Sequence, residues 1–203
     1  MNIGIVGTGK VASNLGAGLA RAGHRVKLGS RDPRGKKAPA KDVAIGTQAE
    51  AVAFGDLVIL AVPLSSVGEV VHAVGAKALR VKIVVDATNA FPPPEGWPAT
   101  TSAAEEIAKL APGAKVVKAF NTAFAPLMAT GQIGGKKITA FVAGDDAAAK
   151  KAVMGLAGDI GFDPIDAGPL AAARNLEPMA MEMIALGFGH GKMGSNIGLM
   201  LVR

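Results

Sequence analysis

An α/β fold, a doubly wound and mainly parallel sheet followed by a small helical extension, is what this sequence predicts. Three observations predict it. Short runs rich in Val and Ile alternate with longer stretches of helical period, the pattern of a parallel sheet covered by helices. The first such run leads at once into Gly7-Thr8-Gly9 and an amphipathic stretch. The length, 203 residues, suffices for one full α/β domain with a short remainder and not for two independent cores.

Strands are expected at 2–6, 25–29, 57–61, 82–86, 115–119 and 138–143. Between the first two, Val11, Leu15, Leu19 and Ala22 recur at helical spacing, and Gly23 is placed to end that helix. Helices are also expected over 47–54 and 65–74. Ser102-Ala103-Ala104-Glu105 has the form of a capping box, so a helix should run from there to about Leu110. Asp145 or Asp146 would cap another that ends near Gly158. Beyond Ile165 the pattern becomes helix, glycine-rich break over 187–194, and a final short helix that Ser195 could cap; Pro178 must kink or restart the first of these. Residues 1–165 therefore read as the α/β domain and 166–203 as a small helical part packed on the same core, while Pro92 to Pro98 reads as an irregular surface loop.

Composition removes several functions. With no Cys in the chain, disulfides, thiolate metal sites and cysteine nucleophiles are excluded, and no metal site is expected. Aromatics make up 4%, with no Tyr and one Trp (Trp97), which argues against stacking nucleic-acid bases on rings. The most apolar stretch, 57–76, is interrupted by Pro63, Ser65, Ser66, Glu69 and His72; it reads as a buried strand and a helix, with no membrane partner. Met1-Asn2-Ile3-Gly4 runs straight into strand-like sequence, which fits a cytoplasmic protein. The composition is 50% hydrophobic and the mean hydropathy +0.35, which favours a buried subunit interface. Apolar stretches from Met179 to Leu186 and from Ile197 to Val202 make a homodimer through the C-terminal helices the expectation.

Gly7-Thr8-Gly9-Lys10-Val11-Ala12 has the form G-x-G-x-x-A. Gly7 permits the tight strand-to-helix turn, Gly9 lets the backbone approach a pyrophosphate, and Ala12 lets the helix lie close to the strand. Free N–H groups at the positive end of the helix dipole then face the phosphates. This is the dinucleotide-binding turn of a Rossmann fold, and it makes Gly7, Thr8, Gly9, Lys10 and Val11 candidate cofactor contacts.

The end of the second strand separates NAD from NADP, because an NAD site usually places a carboxylate there for the ribose 2′-hydroxyl. Here the residues are Gly29-Ser30-Arg31. A hydroxyl and a guanidinium suit an extra phosphate, and Lys36 or Lys37 adds charge from the loop. Residues 31–42 hold five basic and two acidic side chains, so this loop carries +3 of the net charge of +6. Asp32 is the dissenting residue, one or two positions late for the usual carboxylate. The expected cofactor is NADP(H).

A doubly wound sheet binds ligands outside the carboxyl ends of its strands. Those ends supply Ala61, Val62 and Pro63, then Asp86 and Asn89, then Asn121 and Thr122. Ala61, Val62, Pro63 and Asn89 join the cofactor candidates. Asn121 and Thr122, with His190 and Met193 of the glycine-rich loop, are the candidates on the substrate side. Asp86 is either an acid at the site or an ordinary strand-end residue. His24 and His72 sit in a turn and on a helix and read as structural; no catalytic acid or base stands out.

These pieces together resemble the F-420-dependent NADP oxidoreductase family. The matching residues are Gly7-Thr8-Gly9, Gly23-His24, Gly29-Ser30-Arg31, Pro63, Gly144-Asp145-Asp146, and Asp166-Ala167-Gly168-Pro169-Leu170 with Arg174, Pro178 and the glycine-rich tail. The resemblance implies NADP bound along the first half, touching Thr8, Lys10, Val11, Ser30, Arg31, Val62 and Pro63, and a second planar carrier over the nicotinamide. Hydride would then pass directly between stacked cofactors without an acid–base triad. Phe91 to Pro98, the longer 187–194 loop and Phe120-Asn121-Thr122 depart from the family's pattern, and the last is similar to relatives that pass electrons to flavin. The acceptor is therefore left among coenzyme F-420, a flavin (FMN or FAD) and a small carbonyl compound. The alternative from another class is an NADPH-binding redox sensor that acts through a protein partner.

Overall fold

Ten strands and seven helices form within residues 1–90 and 100–202, the part that the computed structural model describes. The expected loop at Pro92 to Pro98 lies outside the described residues. In chain order the elements are β1 (Asn2–Val6), α1 (Lys10–Arg21), β2 (Arg25–Ser30), β3 (Val43–Thr47), α2 (Gln48–Phe54), β4 (Leu57–Leu60), α3 (Val67–Val74), α4 (Ala76–Leu79) and β5 (Ile83–Asp86). There follow α5 (Ala103–Leu110), β6 (Lys115–Lys118), the short hairpin β7 (Gln132–Ile133) and β8 (Lys136–Lys137), β9 (Thr139–Gly144), α6 (Ala147–Asp159), β10 (Asp163–Gly168) and α7 (Ala173–Phe188).

The main sheet has the order β10-β9-β6-β5-β4-β1-β2-β3. Read from the other edge, its first six strands are 3-2-1-4-5-6, the order of a doubly wound dinucleotide fold. All six run parallel, whereas β9 pairs antiparallel with β6. The reversal has a simple cause. A parallel connection needs a crossover, and the chain between β6 and β9 holds only a 3-10 turn at Ala125–Leu127 and the hairpin, with no α-helix.

Apolar residues alternate between the two faces, as strands buried on both sides require. Ile3, Ile5, Leu57, Ile59, Val85 and Val117 pack on one side with α1 and α6. Val6, Val58, Leu60, Val84 and Val116 pack on the other with α3 and α5. Helix α2 lies directly on β1 and β2, because a Cβ on Gly4 would strike the Ala51 carbonyl and one on Gly29 would come within 2.9 Å of Gln48 and Ala51. Gly29 thus has a packing reason to be glycine.

Several local expectations change. Strands β3 and β10 and the hairpin were not among the six expected, and β10 crosses the expected boundary at 165/166. The complete capping box is at Thr47 and Glu50. At Ser102 only half of one forms: its hydroxyl accepts from Glu105 N, while the Glu105 carboxylate turns to Arg174. Asp146 caps α6 by accepting from Ala149 N, and Asp145 instead accepts from Leu170 N at 2.9 Å. One helix runs through Pro178 and does not restart there. No final helix follows Ser195. Thr139 N donates to the Leu199 carbonyl at 2.8 Å and Leu201 N donates to the Thr139 hydroxyl at 2.9 Å, which holds the tail along the start of β9 where β6 does not reach.

Arg174 clamps α7 to α5 through two bonds to Glu105, at 2.9 and 2.6 Å. The guanidinium holds the Glu105 carboxyl below its ordinary value of 4.5. A carboxyl depressed in the folded state adds stability above its unfolded pKa and loses it as pH falls through the folded one. Urea titrations should therefore show Arg174→Ala destabilised relative to wild type at pH 7, with the gap closing as pH falls below 4.5. A gap that stays constant across that range would contradict the assignment.

Candidate functional site

The order of the sheet reverses between β1 and β4, and a cavity of about 300 Å³ opens there. Its lining combines Gly9, Lys10 and Val11 from the turn after β1, Ala61, Val62 and Pro63 after β4, and Ala87, Thr88 and Asn89 after β5. Seven of the cofactor candidates read from the sequence, Gly9, Lys10, Val11, Ala61, Val62, Pro63 and Asn89, therefore share one wall system. Ala87 and Thr88 complete it.

The two glycines of the turn have different tasks. Gly7 has φ +125° and donates its N–H to the Gly29 carbonyl at 2.8 Å, and a Cβ there would strike the Ala61 carbonyl. It is the residue that lets β1 stop and α1 begin. Gly9 has an ordinary φ of −74°, and a Cβ on it would meet nothing within 4 Å. No contact within the protein demands glycine at this position. It lies at the N-cap of α1, which has no side-chain cap, so the free N–H groups at this end are left for an anion. Ala12 is fully buried against the sheet. Thr8 sits between them, its carbonyl 3.5 Å from the Ser13 hydroxyl.

Beyond β2, Ser30 is buried and its hydroxyl donates to the Asp32 carbonyl at 2.7 Å, which shapes the loop. The Asp32 carboxylate is taken by Arg34. Two side-chain bonds at 2.9 and 3.1 Å and the Arg34 backbone N–H at 3.1 Å all converge on it. That pairing holds the Asp32 carboxyl below its usual range, with both side chains still open to water. Arg31 is the opposite case. It is 78% exposed, and its neighbouring carboxylate is Glu69 at 3.8 Å, itself 75% exposed. A pair so open to water holds weakly, which leaves the guanidinium available. Lys36 is exposed in the same loop.

On the far side, the Asn89 and Asn121 side chains interlock. Asn89 Nδ2 donates to the Asn121 carbonyl, and Asn121 Nδ2 donates to Asn89 Oδ1, both at 3.0 Å, and also to the Leu176 carbonyl at 2.9 Å. Phe120 has φ +67°, a conformation that costs a non-glycine residue about 1–3 kcal/mol. Its ring is buried edge-on against Phe162 at 5.7 Å, which offsets the strain and sets the direction of the chain into Asn121. Asn121 Oδ1 and Thr88 Oγ1 are buried without a hydrogen-bond partner among the described residues. Of the two, Thr88 lines the cavity, and an unpaired buried hydroxyl there is what a polar ligand would satisfy.

Asp86 is neither a free acid nor a simple cap. It is fully buried and pairs with Lys118 Nζ at 2.8 Å, and Lys118 reaches Glu177 at the same distance. Lys118 and Glu177 are absent from the sequence expectations. Asp86 and Lys118 are direct partners across β5 and β6, a relation visible only once those strands are known to be neighbours. Nothing near Glu177 in the sequence signals its part.

None of the four substrate-side candidates is among the described lining residues of the cavity: Asn121 and Thr122 are buried beside it, and His190 and Met193 are exposed. His190, just beyond the end of α7, lies 3.8 Å from Glu182 of that helix. His24 bonds Asp159 at 3.1 Å and ties the turn before β2 to α6. The Asp166 to Leu170 segment is a corner: Asp166 accepts from Gly168 N, and Lys150 bonds both Asp166 and the Gly168 carbonyl. Among the described residues no cluster of His, Asp or Glu could hold a metal ion, and no helix is long and apolar enough to cross a membrane.

Comparison with known proteins adds to this geometry. A profile of the NADP oxidoreductases dependent on coenzyme F-420 matches residues 2–90. The crystal structure of a proposed F-420-dependent NADP reductase from Arthrobacter sp. FB24 is 34% identical, covers all of both chains and superposes with a TM-score of 0.87. A hypothetical protein from Sinorhizobium meliloti is 31% identical over 87% of this chain and 89% of its own, with a TM-score of 0.75. Metalloreductase STEAP3 of Rattus norvegicus is 33% identical over 90% of this chain and 37% of its own length. The chain thus spans well under half of the curated relatives it matches.

Proposed function

The chain belongs to the family of NADP oxidoreductases that depend on coenzyme F-420, and from that premise we propose that it passes hydride between NADP(H) and a second planar carrier, with coenzyme F-420 the first choice and FMN or FAD the second. The observation that carries the reading is the wall system around Gly9. It combines an uncapped helix end for the pyrophosphate, an open approach over Gly9, and a Thr88 hydroxyl that the described residues do not satisfy.

Each part of the chain has a task in this reading. Gly9, Lys10 and Val11 cradle the pyrophosphate, and Arg31 with Lys36 meets the 2′-phosphate. Ser30 shapes the loop that presents them. Asp32 is engaged by Arg34, and Asp42 stands at the far end of the loop beside β3, so the position directly after β2 offers Ser30 and Arg31 in place of a carboxylate. Val62, Pro63, Ala87 and Asn89 exclude water beside the nicotinamide, and Asn121 and Thr122 border the side from which a carrier would stack. When bound, the reduced nicotinamide supplies a hydride, two electrons and one proton; an acceptor that needs a second proton takes it from water. The chain's share of the catalysis is distance, orientation and exclusion of solvent. The metalloreductase relatives support electron delivery as the general chemistry.

An acceptor screen tests the reading. NADPH oxidation followed by absorbance should accelerate on adding coenzyme F-420 or FMN to catalytic amounts of protein, and NADH should be a poor donor. Absence of turnover with each of these carriers would remove it.

A further inference from the structure

The mechanism above makes no use of the buried charges beneath the cavity. Lys118 Nζ has three acceptors: Asp86 Oδ2 at 2.8 Å, Glu177 Oε1 at 2.8 Å and the Thr88 carbonyl at 2.7 Å. Three short bonds match the three donors of an ammonium group. Asp86 Oδ1 accepts from Thr88 N at 2.8 Å. The Glu177 carboxylate accepts from Ala103 N and Ala104 N, the first N–H groups of α5, at 3.0 and 3.4 Å. Two carboxylates against one ammonium leave an excess negative charge, and the backbone N–H groups and the start of a helix compensate it.

The two peptide groups that flank Thr88 are therefore both held by this cluster, its N–H by Asp86 and its carbonyl by Lys118. Thr88 lines the cavity, and its own hydroxyl has no partner among the described residues. The third member, Glu177, belongs to α7, and the neighbouring Leu176 carbonyl holds Asn121. One turn of α7 thus holds Asn121 directly and Thr88 through Lys118, the two residues with unsatisfied buried oxygens.

We propose that Lys118 is a positioning residue: with Asp86 and Glu177 it sets the Thr88 wall at the nicotinamide end of the cavity, and through Glu177 it makes that end, but not the adenosine end, depend on helix α7. The proposal rests on the NADP(H) reading given above. The adenosine end, at Ser30 and Arg31, belongs to the loop after β2 and shares no described hydrogen bond with the cluster. Removing one member of a buried ion cluster leaves a charge without its partner, and the strain falls first on the groups the cluster holds, which are the peptides of Thr88.

Calorimetric titration of the full chain with two ligands tests this. Wild type should bind both NADP⁺ and 2′,5′-ADP, which lacks the nicotinamide half. Lys118→Met should weaken NADP⁺ by roughly tenfold or more, about 1.4 kcal/mol or more, and leave 2′,5′-ADP within about twofold, a change too small to reflect a lost contact. Glu177→Gln keeps the shape of the side chain and should show the same split in milder form, which covers the case in which Lys118→Met does not fold. Equal weakening of both ligands, or of neither, in the folded variant would overturn the positioning role. A wild type that binds neither ligand would instead overturn the cofactor reading, and this proposal with it.

Discussion

Gly9→Val is expected to weaken NADPH binding by at least about 100-fold, close to 2.8 kcal/mol, while costing the fold no more than about 1 kcal/mol. The asymmetry follows from the empty space over Gly9. Its φ is ordinary and a Cβ there touches nothing, so the protein tolerates the new side chain and only a ligand at the helix end would collide with it. Gly7→Ala should do the reverse. With φ at +125° and the Ala61 carbonyl in the way, the substitution should cost more than about 3 kcal/mol of stability. Equilibrium unfolding in urea and a fluorescence titration with NADPH separate the two variants. Equal binding by wild type and a folded Gly9→Val would show that no pyrophosphate approaches this turn.

The second large effect concerns the choice between NADPH and NADH. Arg31→Ala removes an exposed guanidinium whose partner, Glu69, is 3.8 Å away and open to water, so stability should hardly change. A charge-assisted bond to a phosphate contributes about 1.5–3 kcal/mol, so NADPH affinity should fall on the order of 10- to 100-fold while NADH, without that phosphate, moves little. Parallel titrations of wild type and variant with both nucleotides check this. A variant that loses both in equal measure would place the 2′-phosphate elsewhere.

What was legible in the sequence is what depends on near neighbours. Gly9 to Val11 of the first turn and the residues just past β4 and β5 line one cavity, because a parallel strand order brings successive carboxyl ends to the same edge. Strand β10 was hidden by Pro164, which a central strand would exclude but an edge strand tolerates; β10 pairs only with β9. Strand β3 is also an edge strand, reached after the basic loop and carrying Gly46 in its middle. The tail beyond Ser195 reads as helix from its apolar residues, yet its conformation is set by Thr139, more than fifty residues earlier. The charges under the site have the same character. Lys118 ends a short strand with no hint that its three partners lie at the end of β5 and on a distant helix. Pairings across such separations exist only after the sheet has formed.

Hydride that passes directly from NADPH to a stacked carrier takes its label with it, so deuterated cofactor reports the transfer. The protein is mixed with coenzyme F-420 and, in separate runs, NADPH carrying deuterium on each face of nicotinamide C4, and the reduced carrier is read by mass spectrometry. Direct transfer predicts deuterium bound to carbon in the reduced deazaflavin from one of the two labelled cofactors and none from the other. Reduced deazaflavin without deuterium from either cofactor would rule direct transfer out.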